Sequence, residues 1–390
     1  MKAQICIVSL LLSVSICKVA DGLLRVPLTR KVTEMAGDYG QPVVNYYTSV
    51  AVGTPGKAFN IQFDVDFTNS FIPHYEWIPF KDNNLHYNIG YLGSKSISKS
   101  YKGAMIEFVY QGCTIAGKLY TDKVRLMDAE PLHGHTEGLI FAWSQSFVAA
   151  SKASNKRFTN LPVDGYFGLA PSTRSAHKII NPLMAMANNL LIEKNQFSIL
   201  LRRDGGDIIF GGILPQYDSM PIEWHQLNWI PQDRWTLNLH SVRVGQQTIS
   251  TGCDGTSECQ VILSTALSDI YGPRDEVKKL YNSLNTMQEG DSLPALIDCR
   301  RIAKDVPSIS FVIDDQHYIV PPEHYVLKLA TGGLFGNETC YVSVLPVDEY
   351  HPRQWTIGTN ALIDAYFVFD PADRKVGLVN RVGTGQRDIW

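Results

Sequence analysis

An internal echo constrains this chain more than any other feature. Residues 59–73 read FNIQFDVDFTNSFIP and residues 259–273 read CQVILSTALSDIYGP. Each is an apolar strand, a three-residue turn, then Ser or Thr and an apolar step to proline. Further along each half an apolar pair precedes a glycine, in DGYFGLA (164–170) and in WTIGTN (355–360). One plan used twice predicts two lobes, and 390 residues suffice for two domains of roughly 100–200 residues each.

The elements within that plan read mostly as strands. Apolar or alternating runs recur at 46–52 (YYTSVAV), 105–110 (MIEFVY), 207–212 (DIIFGG), 235–244 (WTLNLHSVRV), 309–313 (ISFVI) and 365–370 (AYFVFD). Turn residues punctuate them, with 30 Gly and 20 Pro available, while 18 Tyr and 16 Phe suit a pleated, half-buried surface. Helical spacing shows chiefly at 181–191 (NPLMAMANNLL) and 274–285 (RDEVKKLYNSLN), both read as structural. No low-complexity tract or long Pro/Gly/Ser linker is present, so a short ordered crossing is expected between the lobes. Net charge is −3 without a long Lys/Arg run, which leaves no electrostatic footprint for a phosphate backbone, and nucleic acid is not an expected partner. The basic stretch 151–157 (SKASNKR) reads as a solvated loop.

At the N-terminus, Lys2 precedes the apolar run ICIVSLLLSVSI (5–16) and then small and polar residues. That is the pattern of a secretory signal peptide (1–20), with the cut expected between Cys17 and Asp21. The run is shorter than the about 20 apolar residues a membrane span takes, and no second one follows. Secretion, or delivery along the endosomal and lysosomal route, is therefore expected without a membrane span, and it permits disulfides. Once Cys6 and Cys17 leave with the signal, Cys253 and Cys259 flank a hairpin-like turn and Cys299 and Cys340 share the C-terminal half. Cys113 is left over, either buried and inert, the favoured reading, or open to intermolecular pairing in a disulfide-linked dimer. Asn337-Glu338-Thr339 is an N-glycosylation sequon.

Over nearly the whole mature chain these pieces, in this order, resemble the pepsin and cathepsin D-like aspartic proteases. VGTPGKAFNIQFDV (52–65) looks like the strand that runs into the family's first Asp-Thr-Gly, and FVYQGCTIAGKLYTDKV (108–124) like its flap hairpin, with Tyr110 at the flap tyrosine position. VDGYFGLAP (163–171) is similar to its first apolar-Gly element, DIIFGGILPQY (207–217) to its inter-lobe segment, and WTIGTNALIDAYFVFDPADRKVGL (355–378) to its closing motif. The resemblance implies an all-β, bilobal, pepsin-like fold: two pseudo-symmetric β-barrel-like lobes, 45–204 and 205–390, with a few short helices and a deep cleft between them. It implies a small bridge Cys253–Cys259, a larger bridge Cys299–Cys340, no cofactor and no metal, and a peptide or protein ligand held in the cleft under the flap.

In that family two aspartates face each other across the lobes and share one proton, because carboxylates about 3 Å apart cannot both ionise; one acts as base on a water and the other as acid. Aligned residue by residue, Asp64 stands at the first position, but the second Asp-Thr-Gly is Ser264-Thr265-Ala266. A serine hydroxyl does not titrate in this range and cannot carry the shared proton. The first loop departs too: Val65 replaces the Thr whose hydroxyl grips across the lobes, Asp66 replaces Gly, and Phe67 replaces a Ser that hydrogen-bonds the catalytic carboxylate, while Thr265 keeps its half of the grip. The expectation is a catalytically inactive homologue that binds peptide. A low-activity acid endopeptidase using Asp64 and a structural or antigenic glycoprotein are the alternatives.

Asp66 is considered as a substitute acid, as is Asp269, otherwise read as a surface or loop-capping aspartate. The string DVD (64–66) alone is a weak metal signal. Ser264 as a nucleophile lacks a motif that places a His base beside it. GLLRVPLTRKVTEMAG (22–37) resembles the start of the family's inhibitory pro-segment, but the region 21–44 is too short to hold all of it. Its LLRVPLTRKV is expected to stay attached as an edge strand.

Overall fold

The computed structural model describes residues 22–34, 40–77, 90–131, 142–158, 160–171, 179–218, 220–228, 234–250, 253, 259–286, 294–329, 339–347 and 353–379. The expected signal peptide and Asn337 lie outside the described residues. The architecture is all-β with two lobes. One fourteen-stranded sheet runs from the last strands of the chain, through the middle of the molecule, to the flap; an eight-stranded and a three-stranded sheet complete the C-terminal lobe.

The echo read in the sequence is a duplicated strand knot. In the first half, strand Lys57–Asp64 pairs in parallel with Gly165–Gly168, in a register that sets Asp64 opposite Gly168. Strand Ser70–Pro73 then runs antiparallel to Gly165–Gly168. In the second half, Gln260–Leu263 is parallel to Gln354–Ile357, and Ile270–Pro273 is antiparallel to it. Each knot closes on a glycine. A Cβ on Gly168 would lie 2.3 Å from the carbonyl oxygen of Phe67, and one on Gly358 would lie 2.2 Å from that of Asp269. Only a residue without a side chain allows the two turns to approach these backbones.

The N-terminal strand, Leu24–Thr33, corrects one expectation. It is no edge. It lies inside the large sheet, antiparallel to Gly205–Phe210 on one side (Leu24 opposite Phe210) and to Val43–Val52 on the other (Thr29 opposite Tyr47). The reason is its period-two pattern: Leu24 and Val26 are wholly buried and Leu28 nearly so, while Arg25, Pro27 and Thr29 alternate with them. Arg25 Nε and Arg202 Nη1 both donate to the buried Asp207 carboxylate, at 2.8 and 2.9 Å, tying the strand to its neighbours.

Other elements follow the sequence with shifted ends. The helix expected over 181–191 is Pro182–Asn188, capped by Asn181 Oδ1, which accepts from the Met184 N–H at 2.8 Å, with Pro182 in the first turn. The helix expected over 274–285 is Arg274–Ser283, whose Glu276 accepts from the Trp355 indole N–H at 2.8 Å. The basic stretch 151–157 is only in part a loop, because strand Ala142–Ala153 extends into it. Both expected disulfides are present, Cys253–Cys259 and Cys299–Cys340. Cys113 is a free thiol with no exposed surface, so it is not available to join two chains. Among the described residues no helix is long and apolar enough to cross a membrane.

Candidate functional site: a cleft closed by its flap

The two knots deliver their turns face to face. Asp64 ends the strand Lys57–Asp64 and is 2% exposed. Its Oδ1 accepts from the backbone N–H of Asp66 and its Oδ2 from the Tyr110 hydroxyl, each at 2.8 Å. Burial holds the Asp64 carboxyl up at about 6, against the pull of those two donors and of the nearby Arg234 charge. Ser264 occupies the matching place after Gln260–Leu263 and is 1% exposed. Its hydroxyl turns onto its own loop, accepting from the N–H groups of Ala266 and Leu267 at 3.3 Å each. The Ser264 hydroxyl thus satisfies the amides of its own turn.

Half of the inter-lobe grip survives, as the sequence indicates. The Thr265 hydroxyl accepts from the Val65 N–H at 3.1 Å and donates to the Phe63 carbonyl at 2.7 Å. Val65 cannot return the favour. A residue the sequence did not single out does so instead: Gln62, wholly buried, donates through Nε2 to the Thr265 carbonyl, while its Oε1 accepts from Asn45 Nδ2 at 2.8 Å. No short motif marks Gln62; only its inward place on the strand of the opening stretch could have found it.

Asp66, considered as a substitute acid, is held by a cation. It keeps a negative φ, so the loss of Gly costs no backbone strain, and its carboxylate pairs with Arg234 Nε at 3.1 Å. Arg234 precedes Trp235, whose indole N–H donates to the Leu169 carbonyl at 3.2 Å, so the ion pair lies in a second seam between the halves of the chain. Asp269, expected at the surface, is 2% exposed. It accepts from the Ser343 hydroxyl, from Tyr341 Oη at 3.4 Å and from Gln41 Nε2 at 3.4 Å. The following apolar strand Ile270–Pro273 buries it, and these donors make the burial tolerable.

The flap strands, Ser100–Tyr110 and Cys113–Leu126, meet at the two-residue turn Gln111-Gly112, both with positive φ. Cys113 therefore starts the return strand and does not form the tip. Tyr110 is 4% exposed and sits among aromatic rings: Phe67 at 4.4 Å between centroids, Tyr166 at 5.0 Å, Phe71 at 5.4 Å and Phe158 stacked at 5.6 Å. Burial, and then the Asp64 carboxylate, push its hydroxyl well above the ordinary range. The tip reaches the other loop as well. Gln111 Nε2 donates to the Ala266 carbonyl at 3.3 Å and lies 3.3 Å from the Tyr110 hydroxyl, while its Oε1 accepts from Arg157 Nε at 3.4 Å. The flap thus touches both turns directly, and a small space of about 40 Å³ beside them is bordered by Gln111, Arg157, Tyr166, Ala266 and Tyr271.

The arrangement is one buried carboxylate, one serine and a lid bonded to both loops. Comparison with known proteins agrees with the topology. The sequence model of the eukaryotic aspartyl proteases matches residues 45–381. Cathepsin D of Rattus norvegicus is 26% identical over 386 residues, covering 92% of this chain and 88% of the relative. Aspartic protease 3 of Caenorhabditis elegans is 27% identical over 359 residues, covering 88% and 84%. A renin of Echis ocellatus is 26% identical over 342 residues, covering 85% and 79%. With the duplicated knot, the flap and the family match over most of its length, the chain belongs to the eukaryotic aspartyl protease family.

Proposed function

We propose that this protein is a non-proteolytic member of its family, carried on the secretory route, whose cleft holds an extended peptide or protein segment once the flap lifts. The observation that carries this reading is Ser264: a hydroxyl bonded to its own turn amides stands where the shared proton needs a second carboxylate. Asp64, buried alone, has no neighbouring acid to divide the work with, since Asp66 is engaged by Arg234 and Asp269 by Ser343. Binding does not depend on the missing acid. Extended peptides attach to such clefts through backbone hydrogen bonds and side-chain pockets. Lifting the flap would free the Ala266 carbonyl and the ring pocket around Phe67, Phe71, Phe158 and Tyr166 for a ligand.

The test is cleavage of a mixed peptide library by purified protein from about pH 3 to pH 7, with and without an aspartic-protease inhibitor and with an active relative alongside. The expected result is no inhibitor-sensitive cut, together with retention of a subset of peptides by immobilised protein. Inhibitor-sensitive cleavage would instead establish the second reading, a weak acid endopeptidase. Its support is the Asp64 carboxyl, which at about 6 is poised as an acid–base group.

A further inference from the structure

We infer that a second pocket, outside the cleft, binds a small organic anion with an apolar body. It is an open pocket of about 190 Å³ where the N-terminal strand meets the C-terminal lobe. Arg30 comes from the N-terminal strand, Arg203 from the turn between strands Phe197–Arg202 and Gly205–Phe210, and Lys328 from strand Val326–Lys328. His324 stands beside them, and Glu323 is the one carboxylate in the lining. Asp364, 3.9 Å from His324 Nε2, is a flanking counter-charge that is 44% exposed and so largely screened. Three permanent cations against one lining carboxylate leave the pocket positive.

Most of the remaining wall is apolar, including Val44, Leu327 and Ile363, with Tyr341 and Asn360 beside them. The two arginines are tied to backbone carbonyls. Arg30 Nη1 donates to the Arg203 carbonyl at 3.3 Å, and Arg203 Nη2 donates to the Glu323 carbonyl at 3.0 Å. Arg30 also lies beside the Tyr46 hydroxyl, and its Nε has no exposed surface, so a ligand would meet the remaining guanidinium and ammonium N–H groups. Such cationic donors bind an anionic oxygen more strongly than a neutral one. An apolar cavity of about 150 Å³ accommodates a benzene-sized molecule. The space here therefore fits one ring or a branched chain carrying a carboxylate or phosphate head. Because Arg30 belongs to the N-terminal strand, the pocket exists only while that strand stays in the sheet.

Calorimetric titration of the full secreted chain at low salt with benzoate, phenyl phosphate and the neutral benzyl alcohol tests this. At least one anion is expected to bind with a dissociation constant of about 0.1–1 mM, the scale open to so small a ligand, and benzyl alcohol at least about tenfold more weakly. Whichever head group binds more tightly separates a carboxylic acid from a phosphate ester as the natural source. Arg30→Gln is expected to weaken the anion about tenfold and the exposed Lys328→Gln several-fold, the latter without a change in melting temperature. Binding of the alcohol as tight as that of the anions, affinities unchanged in both variants, or no binding by any of the three would overturn the inference.

Discussion

A buried carboxylate carries an electrostatic penalty, and the sign of that penalty at Asp64 can be measured. Its folded value of about 6 lies above the ordinary 3.8. A raised value means that folding favours the protonated form: the stabilisation is complete below about pH 4 and is lost as pH rises through 6. At about 1.4 kcal/mol per pKa unit, the wild type is expected to lose roughly 3 kcal/mol between pH 4 and pH 7 that Asp64→Asn does not lose. Urea titrations of both proteins at four pH values across that range check this; parallel pH profiles would show that Asp64 is not buried as described. Thr265→Val removes both the acceptor for Val65 and the donor to Phe63, so it should cost about 1–3 kcal/mol in the same experiment. Which residues stand at these positions was legible in the sequence, a serine at 264 among them. What their neighbours do was not. Gln62, Gln111 and Arg234 act through contacts across 46 to 203 residues of chain, visible in no local spacing.

At the scale of elements, the flap and the N-terminal strand decide how the molecule behaves. Tyr110→Phe together with Gln111→Ala deletes the flap's side-chain hydrogen bonds to Asp64 and Ala266 but leaves the aromatic packing of the ring. Hydrogen exchange of the amides in Ser100–Tyr110 and Cys113–Leu126 is expected to speed up by about tenfold or more near the tip, while the knot strands stay protected. The N-terminal strand makes the opposite prediction. Leu24 and Val26 are fully buried, so Leu24→Ala is expected to cost about 2–5 kcal/mol, and a chain lacking 24–33 to fail to fold. Sequencing the N-terminus of the protein purified from its native source should find this strand retained; a homogeneous start near Tyr46 would refute its permanence. The alternation of Leu24, Val26 and Leu28 announced a strand, but not its two neighbours. Those are set by segments near residues 45 and 208, and pairing over such distances leaves no local trace.

For the whole molecule, the decisive fact is that two copies of one knot close a cleft from opposite sides while a single lid bonds to both. On the non-proteolytic reading, restoring chemistry takes more than one residue. Ser264→Asp with Ala266→Gly is expected to remain inactive in the acid cleavage assay, because Phe67 and Gln111 still fill the cleft. Adding Val65→Thr, Asp66→Gly and Phe67→Ser is expected to bring inhibitor-sensitive cutting from undetectable to measurable; full activity from the first pair alone would mean that the flap opens freely. The amino-acid sequence by itself determined the duplicated plan, the strand-rich class and which residues stand at 64–67 and 264–266, because each rests on residue identity, alternation or short spacing. Only the tertiary structure decided that Asp269 is buried, that Cys113 is sealed, that the N-terminal strand is interior, and that the flap is latched to both turns. Burial and long-range hydrogen bonds depend on which distant surfaces meet, and that is a property of the packed chain, not of any stretch of it.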